Sequence, residues 1–363
     1  MINLSIIDKL IFLLNSIFGI LLFITYLSPF VNPSVFWPMA FFGLAYPILL
    51  VINFLFGVYW LVTFKRQLLL SLIVIGCGWS QLTNFIQLGG AQKQEQGFKV
   101  MSYNVRLFDL YNWSNNKQTR NKIFDLIDNQ NADIICIQEF FYSEETEYFN
   151  TLDTLISFQK AKNYHTWYTT TKLKHNFGIA TLTKFPILNR GKVHLTDAGN
   201  NICIYTDMLI NNDTIRIYNM HLASVHLAKE NYKFIENINN QETDEQIDGS
   251  KKIVSLLKEA FIKRSIQANV ISEHIKQSPY KVVVCGDFND TPSSYAYRTI
   301  SNDLCDSFKE SGAGIGITYN GSIPIYRIDY ILHDRALRSS SFNTISKDLS
   351  DHYPITSMIS FTE

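Results

Sequence analysis

An α/β domain of more than one layer, tethered behind transmembrane helices, is the architecture this chain predicts. Three observations predict it. From Met1 to Gln92 the only charged residues of the 363-residue chain are Asp8, Lys9, Lys65 and Arg66. Beyond Phe98 the composition is that of ordinary soluble protein, with apolar runs of strand length mixed with amphipathic helical stretches. Polar residues of one chemical kind recur at the ends of those runs.

The N-terminal part reads as an anchor, residues 1–88. Leu10 to Phe30 is uncharged and long enough to span a bilayer, and Phe36 to Phe64 is longer, with Trp37 and Trp60 placed to sit at interfaces. After Lys65-Arg66 a third, weaker span covers residues 68–86, diluted from Ser80 to Asn84. A cleaved signal peptide fits poorly, because the first run is too long and a second follows. Basic residues Lys9, Lys65 and Arg66 put the N-terminus and the loop before the third span in the cytoplasm. Three spans then carry the rest of the chain to the extracytoplasmic side, and two would reverse it. The spans hold almost no ionisable groups, which fits an anchor rather than a transport pathway or sensor.

Residues 89–97 (GGAQKQEQG) are a polar linker, and residues 98–363 form the soluble domain. Phe98 to Leu107 is a strand ending at Asn104. Thr119 to Gln130 has one apolar face and reads as a helix. Ala132 to Phe140 is a buried strand ending at Gln138-Glu139. Strands follow at Phe177 to Ile187, Ile202 to Ile210 and Thr214 to Leu222, the last ending near His221. Lys229 to Asp248 is an Asn-, Gln- and Glu-rich surface excursion before a long helix, Lys251 to Lys276. Tyr326 to Leu332 and Leu349 to Phe361 close the set.

The stretch VVVCGDFNDTPSSYAY, Val282 to Tyr297, carries the strongest local signal. Four apolar residues make a buried strand, Gly286 gives a turn, and Asp287, Asn289 and Asp290 arrive where the strand ends. Thr291 and Pro292 read as the N-cap and first position of a helix. A carboxylate with an amide two residues on suits activation of a water. An Asx-turn followed by a cap would account for this loop as well. The five cysteines form no CxxC pair and read as small buried hydrophobes. Lys and Arg total 32, as do Asp and Glu, so no basic field argues for tight nucleic-acid binding.

Collected from strand ends, Asn104, Glu139, Asn219, His221, Asp287, Asn289, Asp329, Asp351 and His352 are all metal ligands or proton-transfer groups. An acid inside an apolar strand is costly unless paired, so Asp329 wants a partner, and His352 would serve. His165, His175, His194, His226, His274 and His333 belong to no such set, and Asn176 stands before a strand with no clear assignment.

SYNVR, CIQEF, YNMHL, VCGDFND, YRIDYIL and SDHYP, in that order from about Val100 to Phe361, resemble the ordered signature of the endonuclease/exonuclease/phosphatase family. The resemblance implies a DNase I-like, four-layer α/β/β/α sandwich of two mixed sheets that hydrolyses phosphoesters with a divalent metal, Mg2+ or Mn2+. It implies Glu139 as principal metal ligand, with Asn104 beside it and Asp351 as a further carboxylate. Asp287 would activate water, aided by Asn289. His352, oriented by Asp329, would meet the phosphate's developing charge, and His221 would hydrogen-bond a phosphate oxygen. His221 looks like the DNase I, sphingomyelinase and inositol-phosphatase branches more than the abasic-site nucleases. The expected partners are therefore a phosphodiester, nucleic acid or phospholipid, and the membrane itself. A catalytically dead, membrane-tethered scaffold on the same fold is the alternative, and loss of Glu139, Asp287 or His352 would be its mark.

Overall fold

The computed structural model describes residues 4–89, 96–145, 149–159, 163–195, 199, 201–225, 243–321 and 325–362. His226 and most of the 229–248 excursion lie outside them.

At the N-terminus α1 (Ile6–Thr25) and α3 (Pro38–Val62) lie side by side, joined through the short α2 (Pro33–Phe36). Both are long and apolar enough to cross a membrane. Third comes α4 (Leu68–Cys77), followed by a single turn, α5 (Trp79–Leu82). The expected span over 68–86 is therefore corrected: ten residues of helix rise about 15 Å, half a hydrocarbon core. Helix α4 nonetheless packs on both α1 and α3.

The bundle buries its polar groups and exposes its apolar ones. Asn15 donates to Ser71 Oγ (3.1 Å) and accepts from Trp60 Nε1 (2.9 Å), Asn53 caps the Phe18 carbonyl (3.0 Å), and Asp8 pairs with Lys65 and Tyr59. Leu10, Leu13, Ile17, Ile20, Phe54, Leu55 and Leu61 face outward.

The chain leaves the bundle through β1 (Ile86–Gln87). There follow β2 (Phe98–Asn104), α6 (Thr119–Gln130), β3 (Ile134–Ser143), α7 (Thr151–Gln159), β4 (Asn163–Lys172), β5 (His175–Thr183), β6 (Ile187–Lys192), β7 (Ile202–Ile210) and β8 (Asp213–His221). The rest are α8 (Thr243–Lys276), β9 (Lys281–Asp287), α9 (Tyr295–Ser301), β10 (Leu304–Asp306), α10 (Ser307–Ser311), β11 (Gly314–Ile315), β12 (Asp329–Asp334), β13 (Leu337–Thr344) and β14 (Ile355–Phe361).

Two six-stranded mixed sheets result, in the orders β10-β12-β9-β8-β7-β6 and β13-β14-β2-β3-β5-β4. They face each other across Val100, Ile134 and Cys136 on one side and Ile217, Val283 and Cys285 on the other. Ile123, Phe124 and Ile127 of α6 cover one outer face, and Ala268 and Ile271 of α8 cover the other. This is the expected four-layer α/β/β/α sandwich.

Several boundaries differ from the sequence reading. Strand β3 runs on to Ser143 through a bulge, and Pro186 divides the expected 177–187 strand into β5 and β6. Helix α8 begins at Thr243, so it takes in the end of the supposed excursion. Gly286 makes no turn. It lies inside β9 at φ +146°, where a Cβ would collide with the Met220 carbonyl of β8. Ser294, not Thr291, caps α9: its Oγ accepts from the Tyr297 N–H (3.1 Å), while the Thr291 N–H is held by the Asp290 carboxylate (3.0 Å).

Candidate active site

Register brings the polar strand ends to one rim. In the parallel pair β2–β3, Asn104 lies opposite Gln138. In the parallel pair β8–β9, His221 lies opposite Asp287, and antiparallel β12 sets Asp329 against Asp287 from the other side. Strand β14 runs antiparallel to β2, so the residues that lead into it, His352 among them, return to the end of β2. Glu139 reaches the rim from mid-strand. The bulge between Ile137 and Phe140 puts it at φ +49°, a left-handed conformation uncommon outside glycine, which re-aims the side chain.

Asp287 is the hub and is wholly buried. It accepts from Asn104 Nδ2 (3.0 Å), from the Asn289 N–H (2.8 Å) and from Asn289 Nδ2 (3.2 Å). The Nε2 atoms of His221 and His352 each stand 3.6 Å from its Oδ2. His221 Nε2 is also 3.8 Å from Glu139 Oε1, and Asn104 Nδ2 is 3.4 Å from that oxygen. Behind the hub, His352 Nδ1 meets Asp329 Oδ2 at 2.9 Å. Burial works against a charge on His352, but Asp329, Asp287 and Asp351 outweigh it and hold the imidazole's pKa well above its usual value. Burial also raises Asp329, with His352 pulling the other way.

Asp351 is turned to Arg106 Nε at 3.2 Å. Together with Trp113, Tyr319 and Asp348 these two residues line a cleft of about 310 Å³ beside the hub. Asn219 points inward, accepting from Gln138 (2.7 Å) and donating to the Ala180 carbonyl (2.8 Å). Asn176 is held by Thr171 (2.8 Å). His165, His175, His274 and His333 bond to Thr206, Ser143, Tyr218 and Glu310, away from the rim, and His194 is exposed.

The donors suit a hard divalent cation. Glu139, Asn104 and Asp287 offer oxygens at the rim, and ligand atoms of Asp287, Asp329 and His352 lie within 4.8 Å of one another. His221 Nε2 and Asp329 Oδ1 are buried among them with no hydrogen-bond partner among the described residues.

Three supporting residues escaped the sequence reading. Arg264 of α8 binds Asp290 (2.9 Å) and the Ala223 carbonyl (2.7 Å), fixing the loop after Asp287. A cation between Ala260, Phe261, Ala268 and Ile271 on an apolar helix face was the signal available. Thr318 accepts from the Asp329 N–H (3.1 Å), and Tyr319 pairs with His352; both lie in a loop without pattern.

No curated protein matches the chain. The sequence profile of a domain of unknown function, DUF8431, matches residues 8–85. Among solved structures, an endonuclease/exonuclease/phosphatase family protein from Bacteroides thetaiotaomicron aligns at TM-score 0.54 and 17% identity, over 75% of this chain and all of that one. The human Nocturnin catalytic domain with bound sulfate gives 0.52 and 18%, covering 74% and 95%. Mannosyl-6-phosphatase Bt3783 of Bacteroides thetaiotaomicron VPI-5482 gives 0.50 and 16%, covering 73% and 100%. The profile of the Endonuclease/Exonuclease/phosphatase family itself matches residues 101–352, most of the chain, and with this rim of residues on a DNase I-like sandwich the protein belongs to that family of phosphoester hydrolases.

Proposed function

We propose that this protein is a membrane-anchored, divalent-metal-dependent phosphoesterase that hydrolyses phosphodiester bonds by attack of a water activated by Asp287. The observation that carries the reading is the hub. One fully buried carboxylate is held by two amides and faced by two imidazoles, with a second carboxylate, Glu139, across from it.

Asp287 takes the proton of the attacking water, its orientation fixed by Asn104 and Asn289. His352, kept protonated by its carboxylate neighbours and braced by Asp329, donates toward the charge that builds on the phosphoryl oxygens. His221 donates to a second phosphate oxygen. Glu139 and Asn104 would hold Mg2+ or Mn2+, which when bound supplies charge neutralisation at the phosphate, and Asp351 is the further carboxylate beside them.

Membrane anchoring is supported by the bundle, whose polar groups are inside and whose apolar side chains are outside. Asp8 and Lys65 pair at one end of α1, while the catalytic domain contacts the bundle at the other, where Asn32 meets Tyr295 (3.4 Å). With the basic end in the cytoplasm, an extracytoplasmic domain requires that α4 and α5, of which α4 packs on α1 and α3, bring the chain back across despite their short length. The substrate is nucleic acid or a phospholipid-type diester. Zero net charge and a domain held at the bilayer favour the lipid.

The test uses the full chain in detergent, with bis-p-nitrophenyl phosphate, p-nitrophenyl phosphate as the monoester, and Mg2+, Mn2+ or chelator. Metal-dependent diester turnover is expected, falling about 10²- to 10⁴-fold in Asp287→Ala. Turnover that persists in chelator, or equals wild type in the variant, overturns the reading. No turnover together with no Mn2+ binding favours the scaffold.

A further inference from the structure

The anchor does more than end where the enzyme begins. Strand β1 at the exit of the bundle pairs antiparallel with β11, Ile86 opposite Ile315 and Gln87 opposite Gly314, and the Gly316 N–H donates to the Phe85 carbonyl (3.2 Å). One residue earlier, the Asn84 carbonyl accepts from Arg327 Nη2 (2.9 Å). Arg327 is 2% exposed. Its Nη1 binds Asp306 (2.8 Å) and its guanidinium lies 4.7 Å from the rings of both Phe308 and Tyr330.

Both contacts lead to the Asp329–His352 pair in two residues. Arg327 precedes Asp329 in the chain. Gly316 precedes Thr318, which is fully buried and whose hydroxyl accepts from the N–H groups of Ile328 (3.0 Å) and Asp329 (3.1 Å). The Thr318 carbonyl accepts from the Tyr353 N–H (2.7 Å), and Tyr319 bridges to His352 with the two rings 5.4 Å apart. The path has no slack: a Cβ on Gly316 would stand 2.8 Å from Arg327 Cδ and from the Phe308 ring. One segment, 314–319, is therefore strand-paired to the anchor at its start and bonded to both members of the catalytic pair at its end.

From this continuity we infer that the anchor segment Asn84–Gln87 is part of the active site's frame, and that Thr318 and Arg327 are positioning residues through which it sets Asp329 and His352. Phosphoester turnover as a readout rests on the function proposed above; the coupling itself does not.

The experiment is made on the full chain in detergent. Hydrogen-bonded pairs alternate along an antiparallel ladder, so Gln87–Gly314 is the next after Phe85–Gly316, and Gln87→Pro removes a donor from it. Thr318→Val removes the buried acceptor, and Thr318→Ser keeps it. Amide exchange is read at 326–330 and 350–354, with β2 as the folding control. Gln87→Pro is expected to speed exchange at Ile328 and Asp329 about tenfold while β2 stays protected. It also lowers kcat about tenfold with KM within about twofold. Thr318→Val behaves alike, Thr318→Ser restores wild type, and the double variant Gln87→Pro, Thr318→Val is no worse than the poorer single. Wild-type exchange and kcat in Gln87→Pro, or effects that simply multiply, overturn the inference. If Gln87→Pro exposes β2, Arg327→Lys, which keeps a cation for Asp306 and lacks the second nitrogen that reaches the Asn84 carbonyl, is read in its place by the same criteria. If the wild type turns over no phosphoester, exchange still decides the coupling, and only the proposed function falls.

Discussion

Glu139 shows what a single residue can hide. Its place in the Gln138-Glu139 pair and its motif mark it for the site, yet the sequence reading ends a strand there. The backbone instead bulges, holds the residue left-handed and continues to Ser143. A bulge has no one-letter signature, whereas Asp287 and His221 follow from strand length alone. Asp329 needs a partner because it is an acid beside an apolar run, and His352 supplies it at 2.9 Å. Away from the site, His165 makes a testable case at this scale. It is 6% exposed beside Thr206, and burial, with Arg190 adding to it, pushes its pKa from 6.5 down to about 4. The folded chain keeps it neutral while the unfolded chain protonates it. Stability is therefore full above the unfolded value and is lost as pH falls from about 6.5 toward about 4. His165→Gln should flatten that part of the curve. Equal loss of the urea midpoint in wild type and variant between about pH 7.5 and about pH 5 would exclude this cause.

Among the elements, those with a clean period were the ones legible beforehand. Helix α6 matches its reading end for end, and β2, β7 and β9 differ little. Strands β4 and β13 passed unseen because one is half exposed and rich in Thr and the other carries Ser and Asn, so neither shows an apolar run. Helix α8 was read short at its start, where Thr243 to Ser250 has Ile247 as its one apolar side chain. Its Arg264 fastens the element to the loop after Asp287 through Asp290, whose pKa burial raises against the pull of that guanidinium. Arg264→Met leaves a buried carboxylate alone and should cost about 3–5 kcal/mol of stability, most of it recovered on adding Asp290→Leu. Thermal unfolding in detergent measures both. A melting point unmoved by Arg264→Met would show that the pair contributes nothing net.

At the scale of the whole molecule, the apolar N-terminal bundle was legible in the sequence, but its contacts with the rest of the chain were not. Charge and hydropathy separate residues 1–88 from the rest. Neither reveals that Phe41 packs on Phe261 (5.2 Å), that Arg298 lies 4.2 Å from the Phe30 ring, or that Ser34 meets Ser265 (2.9 Å), since such contacts depend on shape rather than on period. The third helix proved too short to span by itself, although the chain does return toward the domain. Topology can be read by cysteine labelling in a Cys77→Ala background. With a membrane-impermeant maleimide, Lys276→Cys should label from outside the cytoplasmic membrane and Arg66→Cys only after lysis. The reverse pattern would place the domain in the cytoplasm.

Strand β1 precedes its partner β11 by more than two hundred residues. A ribosome makes the bundle and β1 first, and N-terminal units fold first during synthesis. The strand that pairs with β11 is thus already made when Gly314 emerges, and it is attached to two helices long and apolar enough to cross a membrane. Assembly order would then act as a safeguard: an enzyme of the proposed kind, whose frame closes on the segment made first, would stay unfinished while it is still being made.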